Sequence, residues 1–208
     1  MNKKKKLILD TARILFNEKG YSQVTIRMIA LKMNMSSGNL NYHYKKREDI
    51  FEALYFEMVS EFDERIDMLI TFEASIEQFK IDVERSMSRM LDYVFFWTDL
   101  YNLLMISKRV QEHFQQVYKK RIAGCLMFFN QMKEKDLMNA CSFELEYNFL
   151  AERMIRFGNT WIYSSSLYAN ELNSTHIDDN VKTYLSMLYP FLTFQGKKEF
   201  QNILPEFF

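Results

Sequence analysis

Nine consecutive residues, "SSGNLNYHY" from Ser36 to Tyr44, crowd two serines, two asparagines, two tyrosines and a histidine around one glycine and one leucine. Hydroxyls, amides and an imidazole both donate and accept hydrogen bonds, and the rings offer flat faces. On a helix these nine positions fill about two and a half turns. Hardly any of them suits an apolar core, so their partner is expected outside the fold. A helix that presents Ser37, Asn39 and Asn41 near its N-terminus, with Gly38 allowing close backbone approach, has the chemistry to meet base edges and phosphates.

The elements that must carry this stretch are readable around it. Leu7, Ile8, Ala12, Leu15 and Phe16 recur at helical spacing from about Lys3 to Lys19, and Gly20 is a helix stop. Thr25 reads as an N-cap, followed by Ile26, Ile29, Ala30 and Met33 on one face of a short second helix. Asn34 tolerates the left-handed conformation that a tight interhelical turn requires. Ser36 or Ser37 then caps a third helix, about Ser37 to His43, with Met35 and Leu40 turned inward. Two short helices joined by a tight turn and backed by a third form a helix-turn-helix, whose second helix enters the major groove.

Charge supports a polyanionic partner. Residues 1–50 carry a surplus of seven positive charges and residues 51–208 a matching surplus of seven negative ones, in a chain of net charge +0. Such asymmetry fits a basic arm on an acidic body.

The rest reads as helix. Apolar residues make up 48% of 208 residues, against 5 Gly and 2 Pro, so an all-α fold with a substantial core is expected. An apolar stripe at positions 50, 51, 54, 55, 58, 59, 62, 66 and 69 predicts a long amphipathic helix from about Arg47. Further helices are expected near 74–97, 99–106, 108–135, 143–170 and 177–194, with a short one at the C-terminus, for about nine or ten in all. "EKDLMNACS" and "NELNSTH" read as loops, and Pro190 should end or kink the last long helix.

Several function classes are not expected. His43, His113 and His176 share no metal spacing, the glycines are scattered, and HExxH, Walker A and GxSxG are absent, so neither an enzyme nor a metal or other cofactor is anticipated. The apolar run Leu7–Leu9 stops at Asp10, too short for a signal peptide, and no uncharged run approaches the ~20 residues of a membrane span. Cys125 and Cys141 form no CxxC pair. A cytoplasmic protein with reduced thiols is the expectation.

The order of residues also resembles a known family. "ILFNEKGYSQVTIRMIALKMNMSSGNLNYHYKKREDI" is similar to the DNA-binding domain of TetR/AcrR-type transcriptional regulators, through Phe16…Gly20-Tyr21, Thr25, Ile29-Ala30, Ser36-x-Gly38-x-Leu40, Tyr42-His43-Tyr44 and Glu48-Asp49-Ile50. Asn34-Met35 stand where that family usually has Gly-Val, Asn41 replaces a common Tyr, and Arg47 a common Lys. The resemblance covers about the first 50 residues. It implies an N-terminal helix-turn-helix domain, residues 1–46, and a helical effector-binding and dimerisation domain, residues 47–208.

It further implies roles. Thr25, Tyr42, His43 and Arg47 would meet phosphates, while Ser36, Ser37, Asn39 and Asn41 would face the groove of double-stranded DNA, an inverted-repeat operator. Lys3 to Lys6 form either a loose, solvated tail or an arm beside the backbone or the minor groove. A small, largely apolar effector would occupy a pocket lined by Phe96, Trp97, Tyr101, Met105, Phe128, Met132, Met154, Phe157 and Trp161. A homodimer interface would draw on Phe149, Leu150, Arg153, Val181, Leu185 and Leu188, although a single-chain core accounts equally well for this broad apolar face. Arg153 and Arg156 pair with helix carboxylates in one reading and clamp an anion in another. The expected function is repression, with three alternatives open: a TetR-like activator, a DNA-organising protein without a small effector, and a helical protein–protein adaptor.

Overall fold

The computed structural model describes residues 3–68, 74–169 and 171–205, with backbone only for 61–68. The stripe positions Phe62, Ile66 and Leu69 therefore fall outside the side chains described, as does Asn170 of the second expected loop. Eleven α-helices and two 3-10 turns make up the described residues, and none of these helices is long and apolar enough to cross a membrane. The fold is all-α.

The chain forms two compact units, residues 1–62 with 92–114 and residues 63–91 with 115–208. In unit 1, helices α1 (Lys3–Lys19), α2 (Ile26–Lys32) and α3 (Ser37–His43) match the expected bounds. Their ends are set by local chemistry. Gly20 has φ of 78°, a conformation that L side chains rarely adopt, and its N–H closes α1 on the Phe16 carbonyl at 2.8 Å. The core of unit 1 is built from the buried faces of α1 (Ile8, Leu9, Ala12, Leu15, Phe16), α2 (Ile29, Ala30), α3 (Leu40) and the first half of α4 (Arg47–Met68), with Ile50, Phe51, Leu54, Tyr55 and Met58. A chain of tilted rings runs through this core, from Phe95 to Phe16, Tyr21 and Phe51, with centroids 5.1–5.6 Å apart. Such spacing adds to the area these rings bury.

The helix expected over 74–97 is broken. It divides into α5 (Ile76–Leu91) in unit 2 and α6 (Val94–Thr98) in unit 1. The break is held by α1. Asn17 donates through Nδ2 to the Asp92 carbonyl at 2.9 Å and accepts the Phe95 N–H through Oδ1 at 3.1 Å. Arg13 pairs with the Asp92 carboxylate at 3.5 Å. Groups left over at the helix ends are thus satisfied by side chains from another helix. Helix α7 (Leu100–Ile106) completes unit 1, and α8 (Lys108–Glu134) begins there.

Unit 2 contains α5, most of α8, α9 (Glu146–Ser166), α10 (Ser174–Ser186) and α11 (Phe194–Ile203). Its core includes Met87, Met90, Phe129, Met132, Leu150, Met154, Trp161, Val181, Leu185, Leu188 and Phe200. The helix expected over 177–194 is also revised. It starts earlier because Asn173 forms a capping box with His176, accepting the His176 N–H and donating its own N–H to His176 Nδ1. It stops at Ser186, and Pro190 sits in a 3-10 turn, Tyr189–Phe191. That turn sends Leu192 into an isolated bridge with Met138. Thr193 then caps α11, accepting the Gly196 N–H at 3.0 Å and donating to the Asp136 carbonyl at 2.6 Å.

Candidate nucleic-acid interface

Both helices of the motif are started by side chains predicted to start them. Thr25 Oγ1 accepts the Met28 N–H at 3.2 Å, and Ser36 Oγ accepts the Asn39 N–H at 3.2 Å. Between the helices Asn34 takes φ of 52°, which lets α3 leave the end of α2 at a sharp angle. Leu40 is fully buried and anchors α3 to the core. Position follows from that anchor by helix period. Gly38, Asn39, Asn41 and Tyr42 are exposed, and Tyr42 is 87% exposed. Ser37 and His43 are half-buried, with the His43 ring edge-on to Tyr42 at 5.4 Å. The structure therefore brings Ser36, Ser37, Asn39, Asn41, Tyr42 and His43 together on one short helix and its cap.

The Arg47 guanidinium is engaged within the chain. Nη1 donates to the carbonyls of Tyr21 (3.1 Å), Ser22 (3.3 Å) and Val24 (2.9 Å), and the group lies over the Tyr21 ring at 4.1 Å from its centroid. The group thus ties the start of α4 to the segment that leads into α2. The carbonyls of this short turn attract a cation because few backbone donors reach them, the Tyr21 oxygen alone among the three also accepting the Val24 N–H at 3.3 Å.

Lys3 to Lys6 are not a loose tail but the opening of α1. Lys6 bridges Asp10 (3.2 Å) and Glu57 (2.9 Å), and the hydrogen bond to Glu57 raises its pKa. Lys5 lies over the Tyr44 ring at 5.7 Å. Tyr44 itself is buried, which together with the Glu57 charge pushes its phenol pKa up.

Sequence reasoning assigned the salt-dependent attraction to nearby lysines and arginines without naming four of them. Residues 20–46 contain no Asp or Glu, and Arg27, Lys32, Lys45 and Lys46 are all exposed there. The carboxylate-free run is the signal that would have found them. Lys45 and Lys46 directly follow α3, and the Lys46 N–H donates to Asp49 Oδ2 at 3.1 Å, starting α4.

The residues expected around an effector divide between the units. Phe96 and Trp97 are buried in unit 1, and among the described residues the Trp97 indole N–H finds no acceptor. Tyr101 and Met105 are 77% and 63% exposed, so within this chain they do not line an interior site. In unit 2, Met132, Met154 and Trp161 belong to the core, with the Trp161 indole donating to Met90 Sδ at 3.4 Å. Phe128 stacks on Phe79 at 4.6 Å, and Phe157 approaches Tyr184 at 6.3 Å.

The residues expected at a dimer face divide between the core of unit 2 and its surface. Leu150, Val181, Leu185 and Leu188 are buried inside unit 2, because the apolar faces of α9 and α10 meet each other and α5. Phe149 and Arg153 remain outside, in a line along α9 that continues through Arg156, Thr160, Tyr163 and the capping residue Leu167. Arg156 pairs with Glu152 at 2.8 Å, as the simpler reading of that arginine had it.

Comparison with known proteins agrees with this geometry. Residues 8–54 match the family model described as bacterial regulatory proteins, tetR family, and residues 57–200 match the model described as bacterial transcriptional repressor. The chain is 30% identical over 87 residues to the transposon Tn10 TetC protein of Escherichia coli, covering 42% of either protein. It spans less than half the length of the curated relatives it matches. Among solved structures, a TetR-family transcriptional regulator from Marinobacter aquaeolei VT8 superposes with a TM-score of 0.88 at 20% identity, covering 100% of this chain and 99% of that one. A transcriptional regulator from Saccharomonospora viridis in complex with choline gives 0.70 at 17% identity, covering 93% and 100%. With a motif of two capped helices at one end and family models matching most of its length, this chain belongs to the TetR family of DNA-binding transcriptional regulators.

Proposed function

We propose that the protein is a homodimeric repressor that reads an inverted-repeat operator through α3 and leaves it when a small, largely apolar effector binds. The observation that carries the reading is the exposed row Asn39, Asn41 and Tyr42 on a helix pinned by Leu40, inside a stretch without a carboxylate. Residues 1–46 form the reading part and residues 47–208 the regulatory part. Ser37, Asn39 and Asn41 read base edges, and Ser36, Thr25, Tyr42 and His43 meet the flanking phosphates. Arg27, Lys32, Lys45 and Lys46 supply the salt-dependent part of the affinity.

Two copies pair along the outer face of α9, where Phe149, Tyr163 and Leu167 are exposed around Arg153. A twofold dimer places its reading helices ~34–36 Å apart, one DNA turn. An effector acts only if it binds the DNA-competent and the released arrangements with different affinity. The choline complex of the Saccharomonospora viridis relative supports a small-molecule effector for this fold.

The test is transcription in vitro from a promoter bearing a selected operator, with light scattering of the complex. Repression by two chains per site is the expected result. Activation, or one chain per site, would overturn the corresponding part of the proposal.

A further inference from the structure

In unit 2, Arg121 is a cation for which the described residues supply no ion pair. Arg121, on α8, is half-buried and donates through Nη1 to Asn159 Oδ1 on α9 at 2.7 Å. Asn159 is neutral. Among the described residues Arg121 has no ion pair, and its remaining N–H groups have no hydrogen-bond acceptor. Arg156, one turn from Asn159, shows the contrast, since it pairs with Glu152.

The neighbours of Arg121 are aromatic or small. A Cβ placed on Gly158 would lie 3.4 Å from both Arg121 Nη2 and Tyr184 Cε2, so guanidinium and phenol ring flank the bare backbone of α9. The Tyr184 ring approaches Phe79 at 6.1 Å and Phe157 at 6.3 Å, and Phe79 stacks on Phe128. Burial pushes the Cys125 thiol up to about 11 and the Tyr184 phenol further still, while the Arg121 charge opposes both shifts. The field of this guanidinium therefore reaches both groups, and among the described residues no carboxylate acts on either. A half-buried guanidinium with open N–H groups beside aromatic rings has the donors to receive an anion.

We infer that Arg121, oriented by Asn159, is an anion site, and that the ligand of unit 2 is a small carboxylate with an aromatic or aliphatic body. Nη2 and Nε of the planar fork take the carboxylate oxygens. Phe79, Phe128, Phe157 and Tyr184 take the body, and the bare backbone of Gly158, where a Cβ would stand 3.4 Å from Nη2, leaves a gap of one methyl group beside the fork. The ligand's regulatory meaning rests on the effector reading proposed above; the binding site does not.

Titration calorimetry of the full chain, without DNA, tests the site. The probes are phenyl-substituted and straight-chain carboxylates of four to ten carbons, each beside its alcohol and its primary amine. At least one carboxylate should bind at least tenfold more tightly than its alcohol, with its amine weaker still. Arg121→Gln should remove that advantage and leave the alcohol unchanged. Asn159→Asp supplies an internal carboxylate, so it should abolish carboxylate binding while keeping the melting temperature at or above that of the parent. No binding by any carboxylate, equal binding by the Arg121→Gln protein, or an amine that binds as tightly would overturn the inference. Carboxylate binding that leaves operator affinity unchanged would uphold the site and remove the effector reading. Operator release by the alcohol alone, independent of Arg121, would do the reverse.

Discussion

The guanidinium of Arg47 lies 4.1 Å above the ring of Tyr21 and donates to the Tyr21 carbonyl at 3.1 Å. This pair locks the first residue of α4 onto the turn that precedes the reading unit. The same Nη1 reaches the Ser22 and Val24 carbonyls, and Val24 leads directly into the Thr25 cap.

Arg47 is therefore predicted to act on stability more than on the salt dependence of DNA binding. Arg47→Ala should lower the unfolding free energy by about 1.5–3 kcal/mol, the range for hydrogen bonds to a charged group. The slope of log affinity against log salt should stay unchanged, whereas loss of a phosphate contact would reduce it by about one unit. Arg47→Lys should recover part of the loss, because an ammonium offers three N–H donors to the carbonyls but has no plane to stack on the ring. Urea unfolding and binding at several salt concentrations separate the two roles.

Asn39 and Asn41 are predicted to behave in the opposite way. Both are exposed, so Asn39→Ala and Asn41→Ala should change stability by no more than about 0.5 kcal/mol. Discrimination at one operator base pair should fall by ~1–3 kcal/mol for whichever residue reads it. Competition binding with single-base operator variants measures this.

Ser36 joins both effects. Its side chain holds the Asn39 N–H, so Ser36→Ala should cost about 0.5–2 kcal/mol and loosen the first turn of α3. Ser36→Asp should keep the cap yet weaken DNA binding, since it sets a negative charge beside phosphate. Thermal melts and binding isotherms of the two variants check the separation.

Gly196 tests the packing of unit 2. A Cβ there would lie 2.0 Å from the Leu137 carbonyl oxygen, a backbone atom that cannot swing away. Gly196→Ala should cost more than about 3 kcal/mol or prevent folding. Gly38→Ala, with only Ser36 Oγ at 3.9 Å, should be tolerated by the fold. Calorimetric melts of both variants make the comparison.

Alkaline stability follows from Tyr147. Burial raises its phenol from 10.0 to about 12, helped by the charges of Cys141 and Glu146. The unfolded chain loses this proton near pH 10 and the folded chain does not, so the unfolded state binds fewer protons and stability falls as pH rises. The contribution is full below pH 10 and is lost by about pH 12. Tyr147→Phe should make the decline between these values shallower in urea titrations; Tyr184, whose phenol is also raised by burial, adds to the remaining slope.

How much of this was legible in sequence depended on the range of the interaction. The bounds of α1 to α3 were readable because Gly20, Thr25, Asn34 and Ser36 act on backbone groups a few residues away. The break after Leu91 was not, because its cause is Asn17, distant in sequence. Nor was the engagement of Arg47, whose partners lie in the turn before α2. Periodicity located an apolar face containing Leu150, Leu185 and Leu188, but it cannot tell a face buried by the same chain from one buried by a second copy. The exposed line from Phe149 to Leu167 becomes visible only once those neighbours are accounted for.

The central claim is that α3 reads DNA sequence while the surrounding cations supply nonspecific attraction. Selection of bound duplexes from a random pool, at two salt concentrations, tests it directly. The account predicts an enriched inverted repeat whose half-sites lie about one helical turn apart, with affinity falling steeply as salt rises. No enrichment and a weak dependence on salt would contradict it.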